Sequence, residues 1–149
     1  TSLLRTITGE LEPAAGSVDV KVPWRHLPQA MDVLDAELTV AQNIARIAPQ
    51  ASETDRRSRL ARFLFRGRDA DQLASTLSGG ERLRATLASL LLAEPAPQLL
   101  LMDEPTNNLD LPSVAHLVEA LRSYEGALIV VSHDERFLDD LELTRRVQV

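Results

Sequence analysis

The chain has 149 residues, of which 44% are hydrophobic and 26% charged, as expected for one globular domain. Its net charge of −6 opposes general binding to polyanions but leaves a local basic patch open, and an aromatic content of 3% disfavours nucleic-acid binding by base stacking. The lack of cysteine excludes disulfides and thiolate metal sites. No apolar run reaches the roughly 18 residues of a membrane span, and no signal or lipidation motif occurs. We therefore expect a cytoplasmic domain with no direct membrane insertion.

The first 30 residues predict one helix and one strand. Helical apolar spacing covers residues 1–8, and Gly9 is a plausible stop. Valines alternate with polar residues over 18–22, which predicts a half-buried strand ended by Pro23. Gln29 lies in the loop that follows. Because the sequence begins without Met, in a helix already under way, we expect it to be part of a longer chain.

The next segment predicts two helices, over 39–47 with Thr39 as its cap and over 52–65, followed by a linker over 67–75. The second helix has an apolar face and a strongly basic one. Its arginines are Arg56, Arg57, Arg59, Arg62 and Arg66. A basic face of this kind is usually solvated, and the alternative is contact with RNA or an acidic partner.

The second half alternates helices and strands. Helices are predicted over 78–93, 110–124 and 135–141, and strands over 98–102, 127–131 and 145–149. The strands over 98–102 and 127–131 are continuous apolar runs, which is typical of strands covered on both faces in a parallel sheet. Right-handed crossovers between parallel strands then give a three-layer α/β fold.

The sequence Ser78-Gly79-Gly80-Glu81 begins the first of these helices. Ser followed three residues later by Glu is a capping box, and capping alone would explain Ser78 and Glu81. It does not explain the two glycines, which allow a bound anion to approach the positive end of the helix. Phosphate binding and helix capping are both open at this point.

Asp103 and Glu104 follow the first buried strand, and His133 follows the next one. In open α/β sheets, ligands bind outside the carboxyl ends of the strands. An aspartate there can hold Mg²⁺, and a neighbouring glutamate can orient the water that attacks a γ-phosphate. The alternative for Asp103 and Glu104 is that they are solvated acids at the end of a strand. The alternative for His133 is a purely structural role.

The order of these motifs, with Asn107-Asn108-Leu109-Asp110 between the acids and His133, resembles the ATP-binding cassette (ABC) ATPases over the whole chain. The resemblance implies a P-loop NTPase core with a small inserted helical subdomain, and ATP and Mg²⁺ as ligands. It divides the chain into three parts. Residues 1–29 would be a core segment that contains the Q-loop, and residues 30–76 the helical subdomain. Residues 77–149 would be a second core segment with the signature helix, Walker B, D-loop and H-loop.

The resemblance also implies a role for each motif residue. Glu104 and His133 would be catalytic, with Glu104 orienting water and His133 contacting the γ-phosphate. The metal site would contain Asp103, Gln29 and Thr1. The nucleotide would be contacted by Thr1, Ser2, Gln29, Ser78, Gly79, Gly80 and Asp110, with Ser78 to Gly80 serving an ATP held by a partner cassette.

Within the family the sequence is most similar to the second cassette of ABC-F proteins, which act on ribosomes. The segments that carry this similarity are 60–67, 103–110 and 131–138. The implied partners are a second cassette, in the same chain or as a homodimer, and the ribosome with its RNA. The alternatives are the ATP-binding subunit of a membrane transporter, with a transmembrane partner, and a non-catalytic interaction module.

One family motif is missing from the sequence. The Walker A strand and its glycine-rich loop ending in lysine do not occur, and the single lysine, Lys21, lies after the first helix. The family pattern would place that lysine just before Thr1, so that Thr1 matches the Mg²⁺-binding hydroxyl residue and Ser2 the next phosphate contact. We therefore expect residues 1–149 alone to bind ATP weakly and to be inactive.

Overall fold

The computed structural model describes residues 2–27, 33–107 and 109–147. Three parallel strands form its sheet in the order β1-β2-β3: β1 (Trp24–Leu27), β2 (Leu99–Asp103) and β3 (Ala127–Val131). Leu27 is in register with Met102 and Asp103 with Val131, so the strands end at the same edge of the sheet.

The side chains of β2 alternate between two layers of helices, which explains its uninterrupted apolar sequence. Leu100 and Met102 pack in one core with α4 (Gly79–Leu91), α5 (Leu111–Arg122) and α6 (Glu135–Asp140). Leu99 and Leu101 face the other way, against Leu4 of α1 (Ser2–Ile7). The predicted three-layer α/β core is confirmed.

The strand β3 is less buried than its sequence predicts. Ala127 is exposed and the four residues after it are half-buried, whereas all five residues of β2 are buried. Within the residues that the structure describes, β3 pairs only with β2 and forms an edge of the sheet. Fewer side chains cover an edge strand, and this accounts for the difference.

A second core lies in the helical segment between β1 and α4. It contains α2 (Val40–Ile47), α3 (Glu53–Ala61) and two short 3₁₀ turns, Gly67–Asp71 and Ala74–Thr76. Val40, Ile44 and Leu60 pack there against Ala85 and Ala88 of α4, so that α4 joins this segment to the sheet. Thr39 forms the predicted cap of α2, with a complete capping box.

The helix α3 ends at Ala61, four residues before the predicted end. Leu64 adopts a left-handed conformation with φ of 66°. Its N–H donates to the carbonyl of Ala61 and the N–H of Phe65 to that of Leu60, both at 3.2 Å. This pair of hydrogen bonds is a Schellman ending, in which the left-handed position is usually glycine.

Two predicted strands are wrong or only partly described. Residues 18–21 are irregular, and Val18 and Val22 are 46% and 39% exposed. The alternation of valines is a local pattern, whereas a strand needs a neighbour with which to exchange backbone hydrogen bonds. Residues 145–147 form no strand either, and 148–149 lie outside the described residues.

No helix of the described chain is both long enough and apolar enough to cross a membrane.

Candidate functional site

The start of α4 is held by reciprocal hydrogen bonds between Ser78 and Glu81. The Ser78 hydroxyl donates to Glu81 Oε2 at 2.7 Å, and the Ser78 N–H donates to the same oxygen at 2.9 Å. The Glu81 N–H in turn donates to Ser78 Oγ at 3.4 Å. The hydrogen bond from the Ser78 side chain, and then that from its backbone, lower the pKa of Glu81. The capping box that the sequence predicts is present.

The two glycines at this helix start have different surroundings. A Cβ atom built on Gly79 would meet nothing within 4 Å, so the backbone there faces open space. A Cβ on Gly80 would lie 3.3 Å from Oγ of Ser113, a residue near the start of α5 that is 6% exposed. Packing against α5 therefore accounts for Gly80, whereas Gly79 leaves room for a ligand to approach the backbone.

Asp110 caps α5, next to the same contact. Its Oδ1 accepts a hydrogen bond from the N–H of Ser113 at 2.9 Å. The side-chain hydrogen bond with Ser113, followed by the backbone one, lowers the pKa of Asp110. The first residues of α4 and α5 thus lie close together at Ser113, so the helix caps Ser78 and Asp110 belong to neighbouring segments.

The second group of predicted site residues lies where β2 and β3 end. Asp103 is the last residue of β2 and is 7% exposed. Glu104 has a φ of 47°, a left-handed conformation that is strained for a residue with a side chain. The Glu104 N–H donates to the carbonyl of Val131 at 2.7 Å, which fixes the turn against β3.

The carboxylate of Glu104 faces His133. Glu104 Oε1 lies 3.5 Å from His133 Nε2, and Oε2 accepts from the His133 N–H at 3.4 Å. The Ser132 hydroxyl is 3.5 Å from Oε2. The His133 side chain is 98% exposed while that of Glu104 is 18% exposed, so the pair opens towards solvent on the histidine side.

The residues present suit a magnesium ion that is bound mainly by phosphate. Within the described ranges, no group of three or more His, Asp or Glu residues could hold a metal ion alone. Mg²⁺ in nucleotide sites takes one or two carboxylates together with phosphate oxygens and water, and Asp103 supplies one such carboxylate. Chain and nucleotide together would therefore complete the coordination.

Three predicted site residues are not tested by these contacts. Thr1 and Gln29 lie outside the described residues. Ser2 is exposed at the start of α1, where its carbonyl accepts a hydrogen bond from the Thr6 hydroxyl at 3.0 Å. Lys21 is paired with Asp19 at 3.4 Å on the loop between α1 and β1.

Two serines, Ser113 and Ser132, make contacts at these sites that were not predicted from the sequence. Ser113 was an ordinary helix residue in the sequence, although a position three residues after a capping aspartate predicts the backbone contact that it makes. Ser132 contacts Glu104, and its place directly before His133 at a strand end could have indicated this.

The fold and these two groups of residues define an α/β nucleotide-binding domain of the ATPase type. The sequence profile described as "ABC transporter" matches residues 1–107. The probable ATP-binding protein YheS of Escherichia coli K12 is 40% identical over 151 residues, which cover 96% of this chain and 23% of YheS. The energy-dependent translational throttle protein EttA of Mycobacterium tuberculosis H37Rv is 37% identical over 145 residues, covering 93% of this chain and 26% of EttA.

A solved structure of "RNase-L Inhibitor" superposes with a TM-score of 0.71 at 26% identity, covering 95% of this chain and 28% of that one. The chain thus belongs to the ABC transporter family of ATP-binding domains, and the resemblance to ABC-F cassettes is confirmed. It spans about a quarter of the length of these curated relatives.

Proposed function

We propose that this chain is an ATP-hydrolysing cassette that pairs head to tail with a second cassette in a translation-related protein. The observation that carries the proposal is the Glu104–His133 pair, held at the carboxyl edge of the sheet with 3.5 Å between Oε1 and Nε2. Attack by water on a γ-phosphate requires a group that orients the water beside a group that contacts the phosphate, and Glu104 and His133 would supply them. The division into a core with a Q-loop, a helical subdomain and a second core segment belongs to this proposal.

In the proposed reaction each residue has a limited task. Glu104 orients the attacking water, and its strained backbone keeps the carboxylate beside His133 rather than in solvent. His133 contacts the γ-phosphate through an exposed imidazole. Asp103, with Gln29 and the Thr1 hydroxyl, would hold Mg²⁺, which neutralises phosphate charge when bound.

The start of α4 would serve a nucleotide bound by the partner cassette. Gly79 supports this role because its backbone faces open space at a helix N-terminus. Asp110 accepts a hydrogen bond from Ser113, which lies beside Gly80 at the start of α4. Asp110 would therefore couple the two ATP sites. Ser2 would contact the phosphates of the nucleotide bound by its own cassette. The Walker A lysine is absent from the sequence, so we propose that residues 1–149 alone bind Mg-ATP weakly and do not turn it over.

The relatives support a role in translation. EttA is named a translational throttle protein, and it aligns with 93% of this chain at 37% identity. We therefore propose the ribosome as the target of the whole protein and the cytoplasm as its location.

The variant Glu104→Gln tests the proposal in the full-length protein. It keeps the size of the side chain and removes the base, so we expect kcat for ATP hydrolysis to fall by about 10²- to 10⁴-fold with Mg-ATP binding retained. Glu125→Gln is the matched control, because Glu125 is an exposed glutamate after α5 and should leave kcat unchanged. Equal kcat values for Glu104→Gln and the wild type would refute the proposal.

A further inference from the structure

The arginines of the helical segment are concentrated in one short stretch. Residues 56–68 contain six of the 16 Lys and Arg residues of the chain and no acidic residue, although the chain has a net charge of −6. These arginines are Arg56, Arg57, Arg59, Arg62, Arg66 and Arg68. The structure separates them into two sets with different surroundings.

The side chains of the first three arginines form hydrogen bonds or ion pairs within the chain. Arg56 Nη1 donates to the carbonyls of Ala51 and Ala48 at 2.6 and 3.2 Å. Arg57 pairs with Glu53 at 3.1 Å and with Asp71 at 2.7 Å, and Arg59 pairs with Asp55 at 2.6 Å. Arg57 and Arg59 are ion-paired and Arg56 is held by backbone carbonyls, so these three side chains are poor candidates for binding a partner.

The other three arginines are exposed and uncompensated. Arg62, Arg66 and Arg68 are exposed, and in the part of the chain that the structure describes their side chains form no ion pair or hydrogen bond. They lie between the end of α3, where Arg62 is the C-cap, and the 3₁₀ turn Gly67–Asp71, which contains Arg68. Guanidinium groups without a counter-charge are strong ligands for phosphate, because their planar fork can donate two parallel hydrogen bonds.

The backbone that carries these arginines is fixed. Leu64 is held in its left-handed conformation by the Schellman hydrogen bonds, and Phe65 next to it is 2% exposed, with the Arg84 guanidinium 5.9 Å from its ring centroid. A left-handed residue with a Cβ costs about 1–2 kcal/mol, and a strained position maintained by its surroundings suggests a functional constraint. The side chain of Leu64 is 49% exposed, so burial of this residue does not explain the conformation.

We propose that Arg62, Arg66 and Arg68 form a binding surface for the phosphate backbone of RNA. Naming RNA as the partner rests on the proposed function in translation. An acidic protein would also carry the negative charge that these arginines bind. A stable protein interface needs an apolar centre, however, and Leu64 is the one exposed apolar side chain between these arginines. RNA is therefore favoured over an acidic protein. Phe63 is half-buried and Phe65 buried, so bases would not be stacked and the contact would be independent of sequence.

The test is RNA binding by the full-length protein as a function of salt, measured by fluorescence anisotropy with a labelled RNA hairpin. Each phosphate contact contributes roughly 0.7–0.9 to the slope of log K against log salt concentration. For Arg62→Gln, Arg66→Gln and Arg68→Gln combined, we expect the slope to be shallower by about 2–3. Because these side chains form no pairs within the described chain, we expect the melting temperature and ATPase rate to be unchanged.

A control variant combines Arg122→Gln, Arg145→Gln and Arg146→Gln, which removes the same charge from the part of the chain after β2. Arg122 and Arg146 are ion-paired there, so this variant tests charge without the proposed surface. We expect its salt slope to equal that of the wild type. Equal effects of the two triple variants, or no RNA binding by the wild type, would overturn the inference. So would loss of binding to a polyglutamate peptide while RNA binding is unchanged, because this would identify an acidic protein as the partner. A wild type without ATPase activity would refute the proposed function and leave the RNA result to be judged separately.

Discussion

Alanine substitutions at Gly79 and Gly80 should have opposite effects on stability. Neither glycine has a positive φ, so alanine fits the backbone and should stabilise the helix start by about 0.4–1 kcal/mol at each position. At Gly79 nothing opposes this gain, because the new Cβ meets no atom within 4 Å. At Gly80 the Cβ would lie 3.3 Å from Oγ of the buried Ser113. Overpacking of this kind costs about 1–3 kcal/mol, so we expect a net loss of about 1 kcal/mol.

Removing the opposing atom provides the control. In Gly80→Ala combined with Ser113→Ala, the added methyl group has space, and the double-mutant cycle should give a favourable coupling of about 1.5–2 kcal/mol. The free energy is best measured locally, by hydrogen exchange of the amides of α4 in the full-length protein. Equal protection of α4 in Gly79→Ala and Gly80→Ala would refute the packing argument.

The same variants separate stability from activity. If Gly79 leaves room for the partner's nucleotide, then Gly79→Ala should lower the ATPase rate although it makes the helix more stable. Unchanged turnover in Gly79→Ala would show that the open space at this glycine is not used.

Two further predictions concern the capping residues and the turn after α3. The pKa of Glu81 in the folded chain is lowered below its ordinary value of 4.5, so its contribution to stability is complete above that pH and is lost as the pH falls through the lowered pKa. Acid unfolding should therefore depend less on pH below 4.5 in Glu81→Gln, and identical pH profiles would contradict the role of the Ser78–Glu81 hydrogen bonds. Leu64→Gly should raise the free energy of unfolding by about 1 kcal/mol, because it removes the left-handed strain of a half-exposed residue. A lower melting temperature in this variant would show that the Leu64 side chain contributes more by packing than its conformation costs.

The sequence predicted the features that depend on neighbouring residues. The caps at Thr39 and Ser78 each require a hydroxyl and a Glu or Gln three residues later, and both are present. The buried strand β2 was predicted because both of its faces are apolar. Such patterns need no knowledge of the rest of the fold.

The features that the sequence did not predict depend on distant residues or on backbone strain. The contact between Gly80 and Ser113 joins residues of different helices. Within the described residues, the alternating valines of 18–22 lack a neighbouring strand, and β3 pairs on one side only. The turn at Leu64 places a branched residue where glycine is usual, so no propensity rule would end α3 there.

The hydroxyl group of Ser78 has a single hydrogen, and Glu81 accepts it in this structure. A phosphate oxygen on a partner's ATP would need the same hydrogen, so the two acceptors are mutually exclusive. Nucleotide engagement would break this hydrogen bond, while the Ser78 N–H could still donate to Glu81 Oε2. The start of α4 lies close to Ser113, whose N–H donates to Asp110, so the caps of α4 and α5 are neighbours. The hydrogen bond that caps α4 would thus compete directly with a nucleotide presented by the partner cassette.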